Sequence, residues 1–162
     1  MNKTETLYVR RAEPSDIPAL MRLLVQVNMV HAKGRPDLFR GPTTKYTERE
    51  LEELLSDGKR PVFVCADENG RVLGHGFCAV EEPENKRLMQ DVRTLYVDDI
   101  CVDEEARGRS VGTALFRHIE AYAREAGCAR VTLNVWTCNP GAMRFYEKMG
   151  LAPYKIGMEK LL

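Results

Sequence analysis

The sequence predicts an α/β (α+β) domain with a mixed central sheet, interrupted by a bulge, and helices on both faces. Three observations carry this. Strand-like and helical segments follow the order βααββ, then βαβαβ, which suits helices packed on both sides of a sheet. Asn69-Gly70 sits between two apolar runs, the signal of a hairpin. A strand whose apolar parity slips at Asp98-Asp99 leads into a basic, glycine-containing loop and a long amphipathic helix. The 162 residues contain no linker, repeat or low-complexity segment, so a single domain over 1–162 is expected.

Leu7 to Arg11 reads as a short first strand. Ser15 can cap a helix with apolar positions Ile17, Leu20, Met21, Leu24 and Val27, fading near Val30; Pro18 lies in its first turn, where a missing N–H costs little. From His31 to Tyr46 the pattern is irregular, broken by Gly34, Pro36, Gly41 and Pro42. Thr47 and Glu50 form a capping box for a second helix carrying Leu51, Leu54 and Leu55, with Gly58 at its stop. Pro61–Asp67 and Val72–Val80 are the two hairpin strands, and Glu81–Asp91 is a charged loop.

Leu95 and Val97 share one face of an ideal strand, whereas Ile100 and Val102 fall on the other. One extra residue at Asp98-Asp99 restores the pattern, which is how a bulge reads in sequence. A solvated kink bearing two carboxylates is the plainer alternative. After the loop, Val111, Leu115, Ile119, Tyr122 and Ala126 recur at helical spacing until Gly127. Arg130–Trp136 is a strand; Asn139 caps and Pro140 opens the next helix, which Gly150 closes. Lys155–Lys160 is expected as a last strand.

The loop Arg107-Gly108-Arg109-Ser110-Val111-Gly112 is built for an anion. First-turn amides of a helix have no intrahelical partner, and the positive end of the dipole points into the loop. Gly108 and Gly112 permit close backbone approach, Arg107 and Arg109 add permanent charge, and Thr113 completes the helix start. The P-loop pattern is absent, since Gly108 and Gly112 are four apart and no Lys precedes Thr113. No dinucleotide fingerprint occurs either.

This loop, following such a strand, resembles the pyrophosphate signature of the GNAT superfamily of acyl-CoA-dependent N-acetyltransferases, with Ser110 where the first signature glycine usually sits. A second stretch, LNVWTCNPGAMRFYEKMGL, is also similar to the family, and the two in order cover about the last seventy residues. The resemblance implies a sheet splayed near the bulge, with acetyl-CoA lying in the splay as co-substrate and no metal. It implies that the Ile100 amide receives the thioester carbonyl, that Cys101 and Val102 line the pantetheine arm with Asn139, and that Tyr146 protonates the leaving thiolate. A phenol stays protonated at neutral pH and suits that task.

The acceptor amine must lose a proton before attack, which at neutral pH costs about 4–5 kcal/mol. Some protein-modifying members carry a glutamate on the strand after the long helix; Asn134 stands there and cannot serve. Some polyamine-acetylating members carry a Glu-Asp pair where this chain has Asp98-Asp99. Asp98 is therefore the expected base, with Asp99 a charge partner or brace, and a small cationic amine is the expected acceptor. A protein N-terminus or lysine is the alternative acceptor, and a non-catalytic acyl-CoA sensor the alternative role. The region holding His31 commonly forms a wall of the acceptor site in the family, so the resemblance makes His31 a substrate or base residue, with an ordinary surface histidine at a helix end as the alternative.

The 24 basic and 24 acidic residues cancel, which gives no support for nucleic acid or an anionic membrane as partner. No apolar run approaches the ~18 residues of a membrane-spanning helix, and the start lacks the apolar core of a signal peptide. The five cysteines are scattered without C-x-x-C spacing, so packed thiols in a reducing cytoplasm are expected. Many relatives form homodimers, which the resemblance extends to this chain as an expectation.

Overall fold

The computed structural model describes residues 6–162. Five strands, β1 (Tyr8–Arg11), β2 (Val62–Ala66), β3 (Val72–Glu81), β4 (Thr94–Val102) and β5 (Arg130–Leu133), form one sheet in sequence order. Every neighbouring pair is antiparallel except β4 and β5, which are parallel and joined through a helix. The helices are α1 (Ile17–Gly34), α2 (Glu48–Leu55), α3 (Val111–Glu125) and α4 (Pro140–Lys148).

The sheet is covered on both faces because its strands alternate inward residues to two cores. Leu20, Leu23 and Leu24 of α1 and Leu51 and Leu54 of α2 bury against Val64, Phe77 and Cys101. Leu115 and Ile119 of α3 bury against Phe63, Leu73, Leu95 and Val97 on the other face. Cys65, Cys78 and Cys101 are buried free thiols, as their apolar surroundings predict.

The bulge forms where the parity slips. Phe77 faces Asp99 and Cys78 faces Val97, so Asp98 is the extra residue. Ile100 and Val102 thereby return to the α3 side, packing against the same core as Leu95 and Val97. The parallel ladder between β4 and β5 ends at Val97 and Leu133. Beyond that rung β4 continues from Asp98 to Val102 with no strand on its second edge among the described residues. This is the expected splay.

Other expectations need correction. Ser15 caps nothing: Glu13 starts a short 3-10 turn in a capping box with Asp16, and α1 follows directly. Arg10 donates to both carboxylate oxygens of Asp16, at 2.7 and 3.0 Å, which ties that turn to β1. α1 runs a turn past Val30, to Gly34. A Cβ at Gly34 would lie 2.5 Å from the Cys138 sulfur, so glycine there lets the end of α1 close onto the β5–α4 loop. β5 stops at Leu133, three residues short of Trp136, because the diverging β4 offers no further partner. The last strand over Lys155–Lys160 does not form; those residues are exposed and take no regular secondary structure.

Candidate active site

The anion loop is pinned at both ends. Asp103, 1% exposed, accepts a hydrogen bond from the Glu105 amide at 3.2 Å and pairs with Arg22, so the turn Glu104–Ala106 starts from a fixed point. Burial pushes the Asp103 carboxyl up, but Arg22 and the amide more than offset it, leaving it below the usual range. At the other end Ala106 and Val111 are both 1% exposed and anchor in the α3 core. Val111 therefore offers the loop only its amide.

Between those anchors the chain turns left-handed twice, at Gly108 (φ 78°) and Ser110 (φ 63°). Ser110 precedes α3 and makes no side-chain cap. The first helical bond runs from Ala114 N–H to the Ser110 carbonyl, so the amides of Val111, Gly112 and Thr113 precede the ladder. A Cβ at Gly108 would meet nothing, which leaves the approach to the backbone open. Gly112 differs from expectation: a Cβ there would sit 3.3 Å from the Phe145 ring, so this glycine seats α4 against α3. A left-handed serine costs about 1 kcal/mol relative to glycine. Ser110→Gly should therefore raise the melting temperature by about 2–4 °C. A melting point unchanged or lowered in thermal denaturation would show that Ser110 is not strained.

The splay carries the remaining groups. Tyr146 lies half-buried on α4, its ring 6.2 Å from that of Phe116 and 5.2 Å from that of Phe145. Burial, then the nearby Asp99 charge, pushes its phenol well above the ordinary tyrosine value. It is a fully protonated donor at physiological pH. Asn139 caps α4 by accepting from the Ala142 amide at 3.1 Å, which leaves its side-chain NH₂ to face outward contacts. The Cys101 sulfur points away from the splay and donates to the Leu23 carbonyl at 3.5 Å. Burial, then Asp99, pushes this thiol up to about 12, so Cys101 is packing rather than a nucleophile. Ile100 and Val102 present backbone on the open edge of β4 and pack their side chains inward.

The two carboxylates at the bulge are unequal. Asp98 is held by Lys45, whose ammonium burial pulls down and the Asp98 bond raises by more. Asp99 makes no such bond; burial, then the Asp98 charge, pushes it up to about 7. Lys45 and Asp98 share a cavity of about 480 Å³ with Tyr46, Arg60, Phe77 and Tyr96. Tyr46 stacks on Phe77 at 5.6 Å and accepts from Arg60 at 3.2 Å, while Asn134 donates to the Tyr96 hydroxyl at 3.2 Å. Sequence reasoning missed Lys45, Arg60 and Tyr96. Lys45 is separated from Asp98 by 53 residues and sits in a loop without periodicity, so no local signal marks it.

His31 stands at the end of α1, stacked on Phe39 at 5.0 Å, with Phe39 edge-on to Trp136 at 5.4 Å. Burial, then the Lys45 charge, lowers its pKa and favours the neutral ring. His75, fully buried on β3, has no partner for either ring nitrogen, and burial lowers it to about 3. Among the described residues no cluster of three His, Cys, Asp or Glu side chains could hold a metal, and no helix is long and apolar enough to cross a membrane.

A mixed sheet opened beside a glycine-containing loop that enters α3, with Tyr146 on α4 within electrostatic reach of Asp99 on β4, is the framework of an acyltransferase that acts on amines. The chain belongs to the acetyltransferase (GNAT) family, whose family model matches residues 29–151. Members of this family use acetyl-CoA as co-substrate. It is 33% identical over 154 residues to the thialysine N-epsilon-acetyltransferase of Bos taurus, covering 89% of this chain and 83% of that enzyme. It is 32% identical over 110 residues to glucosamine 6-phosphate N-acetyltransferase 1 of Oryza sativa, covering 67% of this chain and 63% of that enzyme. Among solved structures, a tetramutant of the BH1408 protein from Bacillus halodurans superposes with a TM-score of 0.90 at 29% identity, over 96% of this chain and 99% of that one.

Proposed function

We propose that this enzyme transfers the acetyl group of acetyl-CoA to a small primary amine that also carries an anionic group. The observation that carries the proposal is the Lys45–Asp98 pair inside the acceptor cavity. A purely cationic amine must displace Lys45 to reach the acidic bulge. An amine bearing a carboxylate or phosphate instead gives Lys45 and Arg60 a partner of its own, releasing the carboxylates to its ammonium end. The acceptors named for the two relatives, glucosamine 6-phosphate and thialysine, both combine an amine with an anion.

In this reading the amides of Val111, Gly112 and Thr113, with Arg107 and Arg109, hold the pyrophosphate, and Thr113 lends its hydroxyl. The Ile100 amide polarises the thioester carbonyl, a contact worth roughly 2–4 kcal/mol of barrier when preset toward the developing oxyanion. Val102 supplies backbone to the pantetheine arm, joined by Asn139, while the Cys101 backbone is turned toward β3. Asp99, rather than Asp98, is the base. Its pKa near 7 matches proton removal at neutral pH, whereas Asp98 is engaged with Lys45. Asp99 takes one proton from the bound ammonium, directly or through water; the freed amine attacks the carbonyl carbon, and the second proton its nitrogen then sheds replaces the one that Tyr146 gives to sulfur. The carbon–sulfur bond breaks, and sulfur takes the Tyr146 proton. His31 completes the acceptor wall.

The test is a panel of amino acids, amino-sugar phosphates, polyamines and peptides, assayed with acetyl-CoA by thiol release. Amines bearing an anion should show kcat/KM values at least tenfold above polyamines, and Lys45→Ala should narrow that ratio. A polyamine preference in the wild type would overturn the acceptor class. Thiol release with no amine, from a folded protein that binds CoA, would overturn the catalytic reading.

A further inference from the structure

Lys45 brings a primary amine of the chain itself to the place where an acceptor amine must stand. Its Nζ donates to the Asp98 carboxylate at the bulge. It lies 5.6 Å from the centre of the Tyr46 ring, which stacks on Phe77 in the same cavity. The Lys45 charge also reaches Asp99, His31 and the Tyr96 hydroxyl. Asp99 in turn acts on the phenol of Tyr146. One carboxylate therefore senses both a lysine nitrogen and the proton donor that serves the leaving sulfur.

Folding alone gives little reason for a lysine here. The Lys45 side chain is 54% exposed and that of Asp98 24%, and pairs this accessible contribute little to stability. Nor is the nitrogen rigidly held. Residues 35–47, between α1 and α2, contain no helix or strand, and an ammonium on a four-carbon stem is a mobile charge. A short swing from Asp98 toward Asp99 and the open edge of β4 brings Nζ to the position of the attacking atom.

We propose that the enzyme acetylates its own Lys45 from acetyl-CoA when no amine occupies the cavity, and that this closes the site to anion-bearing acceptors. The inference rests on the catalytic reading above, with Asp99 as base and Tyr146 as acid. Asp99 takes one of the three ammonium protons. The freed Nζ attacks the carbonyl carbon, the carbon–sulfur bond breaks, and sulfur takes the Tyr146 proton. The second proton shed by Nζ restores the phenol, and the third stays on the new amide. The products are acetyl-lysine, CoA and one proton left on Asp99. Because both reactants are held by one chain, the step is first order in the bound complex. Acetylation replaces the ammonium with a neutral amide. Asp98 loses its counter-ion, and the anion of an acceptor loses its partner. The enzyme thus slows itself when acetyl-CoA is abundant and acceptor is scarce.

The test follows mass. Wild-type protein incubated with acetyl-CoA and no amine should gain the mass of one acetyl group, mapped to Lys45 by peptide mass spectrometry. One thiol per chain should be released and no more, in contrast to the continuing release that an amine sustains. The rate constant should not change on dilution of the enzyme at saturating acetyl-CoA, and the fastest amine of the panel should protect Lys45. Lys86, with a side chain 65% exposed, is the control, because exposure alone favours it over Lys45. Lys45→Arg should abolish the modification, and Tyr146→Phe should slow it ~10²-fold. The acetylated protein should show a KM for that amine raised about tenfold, the effect of losing one charged hydrogen bond. Lys86 modified as fast as Lys45, a rate that falls on dilution, or an unchanged rate in Tyr146→Phe would overturn self-acetylation. An unchanged KM would overturn the closing of the site. If amines turn over while Lys45 stays unmodified, this inference falls and the catalytic reading stands. If neither the amines nor Lys45 are acetylated by a protein that binds CoA, both fall.

Discussion

Asp99→Asn should lower turnover by ~10²-fold or more at neutral pH while making the protein more stable. The catalytic loss follows from removing a base matched to the working pH. The gain in stability follows from linkage. The folded protein holds the Asp99 proton up to about 7, whereas the unfolded chain loses it near the ordinary aspartate value of 3.8. Between those values the folded state binds more protons, so stability falls as pH rises through the window and stays reduced above it. Asparagine keeps the shape and has no charge to desolvate. At pH 8 the variant should be more stable by on the order of 2–4 kcal/mol, and the advantage should vanish below about pH 4. Wild-type turnover should climb with pH through about 7 to a plateau, and the deficit of the variant should shrink in alkali, where free amine is abundant. Asp98→Asn should instead act mainly through KM, by releasing Lys45. Denaturation midpoints and kcat profiles across pH separate these outcomes. Equal turnover for wild type and Asp99→Asn would assign the base elsewhere.

Tyr146→Phe should reduce kcat by ~10²-fold or more with CoA affinity near wild type. The ring packs against Phe116 and Phe145, so phenylalanine preserves the packing and deletes only the donor. The phenol is held protonated by burial and by Asp99, and this ties the two residues together. In Asp99→Asn the phenol should titrate at lower pH, visible by ultraviolet difference spectroscopy at alkaline pH. Turnover within twofold of wild type in Tyr146→Phe would mean that water supplies the proton.

The clearest successes of sequence reasoning are the bulge and the anion loop, and both rest on local rules. A parity slip of one residue displaces every later side chain, so it is visible in eight consecutive residues, and β4 carries its extra residue at Asp98. The loop is visible because glycine spacing, basic residues and a following helical period lie within one short segment. Even there the reasons differ by residue. Ser110 keeps the left-handed geometry without being glycine, and Gly112 serves Phe145 rather than open approach. The failed last strand is instructive in another way. The pattern over Lys155–Lys160 is that of a strand, but a strand needs an edge to pair with, and nothing local states where that edge lies.

The sequence by itself determined the order of elements, the bulge, the helix-capped anion loop and the cap of α4, because each depends on residues a few positions apart. It also brought Tyr146 and the two carboxylates forward as candidates. Only the tertiary structure divided the labour between Asp98 and Asp99. Lys45, from a loop 53 residues away, neutralises Asp98 and leaves Asp99 partly buried beside it with a raised pKa. Charge pairing and desolvation depend on what surrounds a group in space, and no pattern along the chain encodes that distance.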